Sequence, residues 1–115
     1  MMPITVRVRN LEWGEELQQR VARIIEFAVD RHMVRIAGIS VYLADSNGPR
    51  GGVEKLCQIT AELRGAEAVM ILEKHTELMA SVHRAARRLG YRIAQRVRRV
   101  RVAGSPEHRA TVRAA

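Results

Sequence analysis

Cysteine occurs once in the 115 residues, at Cys57, so no disulfide can close within the chain and a reducing compartment is expected. Aromatic side chains make up 3% of the sequence (Trp13, Phe27, Tyr42 and Tyr91), which leaves an aliphatic core. No apolar run approaches the roughly 20 residues of a membrane span. The opening Met1-Met2-Pro3-Ile4-Thr5-Val6-Arg7 lacks the apolar stretch of a signal peptide. These absences predict a soluble, cytoplasmic protein. One cysteine with scattered histidines has no metal-ligand spacing, so neither metal nor cofactor is expected. Lysine is nearly missing too, present only at Lys55 and Lys74, and no acidic residue stands between His83 and Val102.

What the chain has is positive charge. Lys+Arg number 20 against 12 for Asp+Glu, a net charge of +8, beside a hydrophobic share of 47%. That excess points to RNA, DNA or an anionic membrane. Arginine offers a planar fork of donors that suits phosphate, although a GC-rich genome produces the same preference. The length fits one domain with a two-layer core, placed at residues 1–102. Residues 103–115, with Gly104, Ser105 and Pro106, have no periodicity and read as a flexible tail.

Two periodicities organise the domain. Ile4, Val6 and Val8 alternate with Thr5, Arg7 and Arg9, a half-buried strand. Leu17, Val21, Ile24, Ile25 and Ala28 recur at helical spacing, predicting a helix from about Glu15 to His32 with Gly14 as N-cap. Ile39, Val41 and Leu43 mark a second strand, and Asp45 to Gly52 is turn chemistry. Cys57, Ile59, Ala61 and Leu63 define a third strand, and Glu67 to Lys74 a fourth that is apolar on both faces. Leu78, Val82, Ala85, Leu89, Ile93, Val97 and Val100 stripe a last helix, capped by Thr76 and running to about Arg101. The order β-α-β-β-β-α predicts an α+β two-layer sandwich, a four-stranded sheet with both helices on one face. Strands one and two should be parallel, and the later hairpins antiparallel.

Arg84, Arg87, Arg88, Arg98 and Arg99 fall opposite the apolar stripe of the last helix with Tyr91, while Arg92 sits at its boundary. A merely solvated face normally mixes signs; this one does not, and a counter-anion would relieve the repulsion between its arginines. Arg96 falls on the apolar flank and should snorkel instead of binding. The first helix adds Arg20, Arg23 and Arg31 on one shoulder, with Glu15, Glu26 and Asp30 on the other. Phe27 lies among those arginines, where stacking on a base is one role and covering the helix–sheet edge is the favoured one.

The loop Gly48-Pro49-Arg50-Gly51-Gly52 lacks the phosphate-loop spacing and joins two strands, which leaves Arg50 and Lys55 as the contacts at its margins. Cys57 with His32, His75 or His83 would be the catalytic pair. Cys57, however, alternates with core positions and no third orienting group is indicated, so no enzymatic role is expected. Apolar outward positions Ala68, Met70 and Leu72 suit either self-association or cover by the tail.

The stretch from Val41 to Ile59, with Leu43-Ala44-Asp45, Asn47-Gly48-Pro49-Arg50-Gly51-Gly52 and Lys55-Leu56-Cys57-Gln58-Ile59, resembles the ribosome hibernation-promoting factor family. That family is also called the ribosome-associated inhibitor or sigma-54 modulation family. Its proteobacterial-type members read like LADxNGPRGGxDKxCxI here, and Phe27-Ala28 and Ala85-Ala86 fit the two helices. The likeness spans about residues 4 to 101. Gly14, where relatives place Ser or Thr, and Thr76-Glu77-Leu78-Met79 depart from the pattern.

The resemblance implies a β-α-β-β-β-α fold and binding to the small ribosomal subunit, in the channel of mRNA and tRNA. Basic helix faces there contact rRNA phosphates and hold ribosomes inactive under stress, with no reaction or cofactor. The positions it implies are Arg20, Arg23, Arg31, Arg84, Arg87, Arg88 and Arg92; the wheel adds Arg98 and Arg99. The chain looks like a short form, without the ribosome-pairing domain of longer members. Two other readings stand beside it: a general double-stranded-RNA module, and a regulatory protein–protein adaptor.

Overall fold

The computed structural model describes residues 2–45 and 54–103, with side chains through residue 99. The predicted loop, including Arg50, and the predicted tail beyond 103 lie outside the described residues.

Strand β1, Ile4–Arg9, is followed by helix α1, Glu15–Val29. Gly14 caps α1 through its backbone alone: it is extended, and its carbonyl accepts from Gln18 N at 3.0 Å. Glu15 and Glu16 complement the positive end of the helix dipole. The helical spacing carries on past Val29, but the chain tightens into a 3-10 helix, Asp30–Arg35, instead of continuing as α-helix. Tightening gives a sharp entry into β2, Ile36–Asp45, with Ile36 N–H donating to Met33 O. Arg64 secures that junction, its Nη1 donating to Val34 O at 2.8 Å and Ile36 O at 3.2 Å.

Strands β3, Lys55–Leu63, and β4, Val69–His75, complete a sheet in the order β1-β2-β3-β4. As the crossover rule requires, β1 and β2 are parallel; the other two pairs are antiparallel. Registers such as Ile4↔Ile39, Val41↔Ile59 and Ile59↔Ile71 put all the core-facing residues in one continuous layer. The fourth strand is buried on one side only: Val69 and Ile71 face the core, while Met70 and Leu72 are exposed on the other side.

Helix α2, Leu78–Ala103, closes the two-layer α+β architecture. Its first turn starts later than predicted, because Glu77, not Thr76, offers the carbonyl that receives Ser81 N at 3.1 Å. Leu89, Ile93 and Val82 meet Val21, Ile25 and Val29 of α1 over the sheet in one aliphatic core. Buried Ser81 is satisfied within the helix, its Oγ donating to Leu78 O at 2.7 Å. The helices touch backbone to backbone at Ala28 and Gly90: a Cβ on Gly90 would stand 2.7 Å from the Ala28 carbonyl oxygen. Glycine is needed there for space, not for its conformational freedom.

Candidate nucleic-acid interface

The topology gives both helices the same direction. Because β1 and β2 are parallel, α1 must run back against them. Arg88 of α2 reaches Leu72 and Glu73 while Arg96 reaches Glu67 and Ala68, so α2 runs against β4, itself parallel to β2. Two side-by-side helices thus present one outward surface.

The arginines predicted for that surface are mostly there. Arg20, Arg23, Arg31, Arg84, Arg87, Arg92, Arg98 and Arg99 are exposed, and among the described residues none forms an ion pair. The Ala28–Gly90 contact decides which flank of α1 adjoins α2. With steps of roughly 100° per residue, Arg20 lies on the flank toward α2, whereas Glu15 and Glu26 point nearly opposite. Glu15 and Glu26 are therefore turned away from the arginines of α2, whereas exposed Glu16 and Asp30 stay on the outward side beside Arg20 and Arg23, and Arg31 extends the basic row into the 3-10 helix.

Two predicted contacts are tied into the fold. Arg88 Nη1 pairs with Glu73 Oε2 at 2.6 Å and also donates to Leu72 O at 3.1 Å. Glu73 stands opposite Cys57 in the sheet register, on the helix side of an edge strand, where its carboxylate needs a cation. Lys55 Nζ is held by Asp45 Oδ2 at 2.8 Å, both side chains largely covered. Arg96 lies off the outer face as the wheel predicts but does not snorkel into solvent: its Nη1 donates to Glu67 O and Ala68 O, each at 3.1 Å, and stands 3.5 Å from Glu67 Oε1.

Phe27 overturns the favoured packing role. It is 86% exposed and covers no helix–sheet edge, and Tyr91 on α2 is 67% exposed. Phe27 lies a full step outward from Ala28, so the ring clears the sheet. Sequence reasoning passed over the far side of the sheet. There Arg7 stacks over Tyr42, 5.5 Å from the ring centroid, above a hollow of about 240 Å³ edged by Thr5, Ser40, Gln58 and Thr60. The signal was the polar half of the strand alternation, read only for its apolar half.

No catalytic or metal geometry accompanies this surface among the described residues. Cys57 is buried, and desolvation, reinforced by the Glu73 charge, pushes its thiol up to about 12, where it stays protonated. Burial first and the Arg31 charge second hold His32 below its ordinary value. His75 accepts from Glu77 N at 3.0 Å in the turn before α2. Among the described residues no cluster of three or more metal-binding side chains occurs, and no helix is long and apolar enough to cross a membrane.

No protein-family model matches the chain, nor does any curated protein. Solved structures do. The Thermus thermophilus Protein Y N-terminal domain superposes with a TM-score of 0.68 at 23% identity, covering 82% of this chain and 98% of that one. A ribosomal subunit interface protein from Coxiella burnetii superposes with a TM-score of 0.64 at 12% identity, covering 82% of this chain and 96% of its own. What this chain shares with both is the fold, along nearly the whole of each neighbour.

Proposed function

We propose that this protein binds the ribosome, docking the paired faces of α1 and α2 on rRNA phosphates of the small subunit. One observation carries the reading: two helices running the same way expose a row of guanidinium groups, unpaired among the described residues, that outnumber the carboxylates beside them. Such a surface has unrelieved self-repulsion in solution and gains most from a dense array of anions. Its fold neighbours include a ribosomal subunit interface protein, and the loop and helix motifs resemble ribosome hibernation factors. Together these support a more specific role. The protein is a non-enzymatic cytoplasmic factor that occupies the mRNA and tRNA channel and holds idle ribosomes inactive under stress.

Co-sedimentation with purified small subunits tests it. Replacing Arg84, Arg87 and Arg98 by alanine should release the protein without unfolding it, since all three side chains are exposed. The log–log salt slope should shrink by about 0.7 to 0.9 for each phosphate that is no longer neutralised. Undiminished binding by the triple variant would exclude this face. Equal affinity of the wild type for naked duplex and for subunits would favour a general duplex binder over a ribosome factor.

A further inference from the structure

We infer that Phe27 and Tyr91 form a stacking site for unpaired nucleobases where α1 and α2 meet, so that this surface takes splayed-out RNA bases along with phosphates. The inference rests on the reading of the face as an RNA interface and names what that interface selects.

The four aromatic residues divide into two kinds. Trp13 is half-buried against the core and donates its indole N–H to Gln18 Oε1 at 3.2 Å. Tyr42 lies under the Arg7 guanidinium on the far side of the sheet. Both take part in the fold. Phe27 and Tyr91 belong neither to the core nor to the residues packed against it. Phenylalanine has no polar tip, and nothing in the fold covers this ring, so its flat face is free for a ligand.

Their placement is what joins them. Phe27 immediately precedes Ala28 and Tyr91 immediately follows Gly90, the two residues whose backbones touch. Core residues Ile25 and Val29 on α1, and Leu89 and Ile93 on α2, fix the sheet side of each helix. A step of roughly 100° from Ala28 back to Phe27, or from Gly90 on to Tyr91, leads away from that side in both helices. The two rings therefore flank the point of closest approach on the outward surface.

Cations surround them. Arg23 and Arg31 stand four residues either side of Phe27, and Arg87 stands four before Tyr91; all are exposed. A nucleotide whose base lies on either ring would have its phosphate within reach of a guanidinium, the combination used by proteins that hold single strands. A-form duplex offers no free base faces, so it would use the arginines and leave the rings idle. A protein partner would need a contiguous apolar patch, whereas Phe27 is hemmed by Arg23, Glu26, Asp30 and Arg31.

The test is fluorescence anisotropy with the full chain, using a labelled oligoadenylate and a labelled RNA duplex of equal length at one salt concentration. Phe27→Ala and Tyr91→Ala should each weaken oligoadenylate binding on the order of tenfold and leave duplex binding within about twofold. Phe27→Trp should restore binding, and its emission, read against the Trp13 background, should be quenched by the bound base. Equal losses on both probes, or none on either, would overturn the stacking site while leaving the phosphate surface intact. Weaker ribosome co-sedimentation by Phe27→Ala with both RNA affinities unchanged would assign the ring to a protein contact and overturn it as well. If the wild type binds neither probe and no subunits, the RNA reading itself fails.

Discussion

Glu73 on the core side of β4 and Arg88 on the outer side of α2 meet at 2.6 Å, so one member of the arginine row serves the fold. Arg88→Ala would leave a carboxylate only 16% exposed without its cation, and stability should fall by about 1–3 kcal/mol. Its loss of ribosome affinity should be smaller than that of Arg87→Ala, whose charge is free. Urea midpoints and co-sedimentation measured on the same two variants separate these effects. An affinity loss as large as that of Arg87→Ala would mean that the Glu73 pair opens on binding.

The guanidinium groups of Arg88 and Arg96 also occupy the carbonyls of Leu72, Glu67 and Ala68 along β4 and the turn before it. Covering Leu72 O on β4, and the two carbonyls that lead into the strand, hinders pairing of this edge with another sheet. The double variant Arg88→Ala/Arg96→Ala frees that edge beside exposed Met70 and Leu72. It should self-associate with rising concentration, as read by light scattering; a monodisperse variant would show that the arginines do not protect the edge.

Gly90→Ala sets two terms against each other. Alanine favours the helix by about 1 kcal/mol over glycine. The new methyl, though, would stand 2.7 Å from a backbone oxygen that cannot rotate aside. Overpacking of this kind costs about 1–3 kcal/mol. A net loss is expected, seen as a Tm lowered by several degrees; a raised Tm would mean that the helices part without penalty.

Cys57 makes stability depend on alkaline pH. Its thiol is pushed up from 9.0 to about 12 by burial first and the Glu73 charge second. Above pH 9 the unfolded chain releases the proton while the folded chain keeps it, so the contribution present below pH 9 is lost progressively toward pH 12. Cys57→Ala should flatten that decline in denaturation curves and leave ribosome binding intact. The native thiol should also resist alkylation at about pH 8, near the range where a free thiol ionises, until the protein is unfolded.

Arg84→Lys and Arg87→Lys keep the charge but lose the planar fork. If these side chains grip phosphates bidentately, each should weaken subunit binding by less than its alanine counterpart yet measurably, with the salt slope preserved. Binding equal to wild type would reduce their role to charge alone.

Strand alternation in Ile4–Val8 and Cys57–Leu63, and the stripe from Leu78 to Val97, were legible because period 2 and period 3.6 are local properties of the chain. The parallel first pair followed as well, since a single helical crossover leaves few alternatives. Which charges remain free was not local. The wheel puts Arg88 with its neighbours, and only the docking of α2 on β4 brings Glu73 to it from fifteen residues away. Phe27 likewise depends on how α1 docks: had its side of α1 met the sheet edge, the ring would cover that edge as expected, but Ala28 meets α2 and turns it outward. Sequence alone thus determined which residues lie inside and where the arginines concentrate. The tertiary structure decided which of them stay unpaired and which aromatics face outward, because pairing and exposure depend on what the rest of the chain brings alongside.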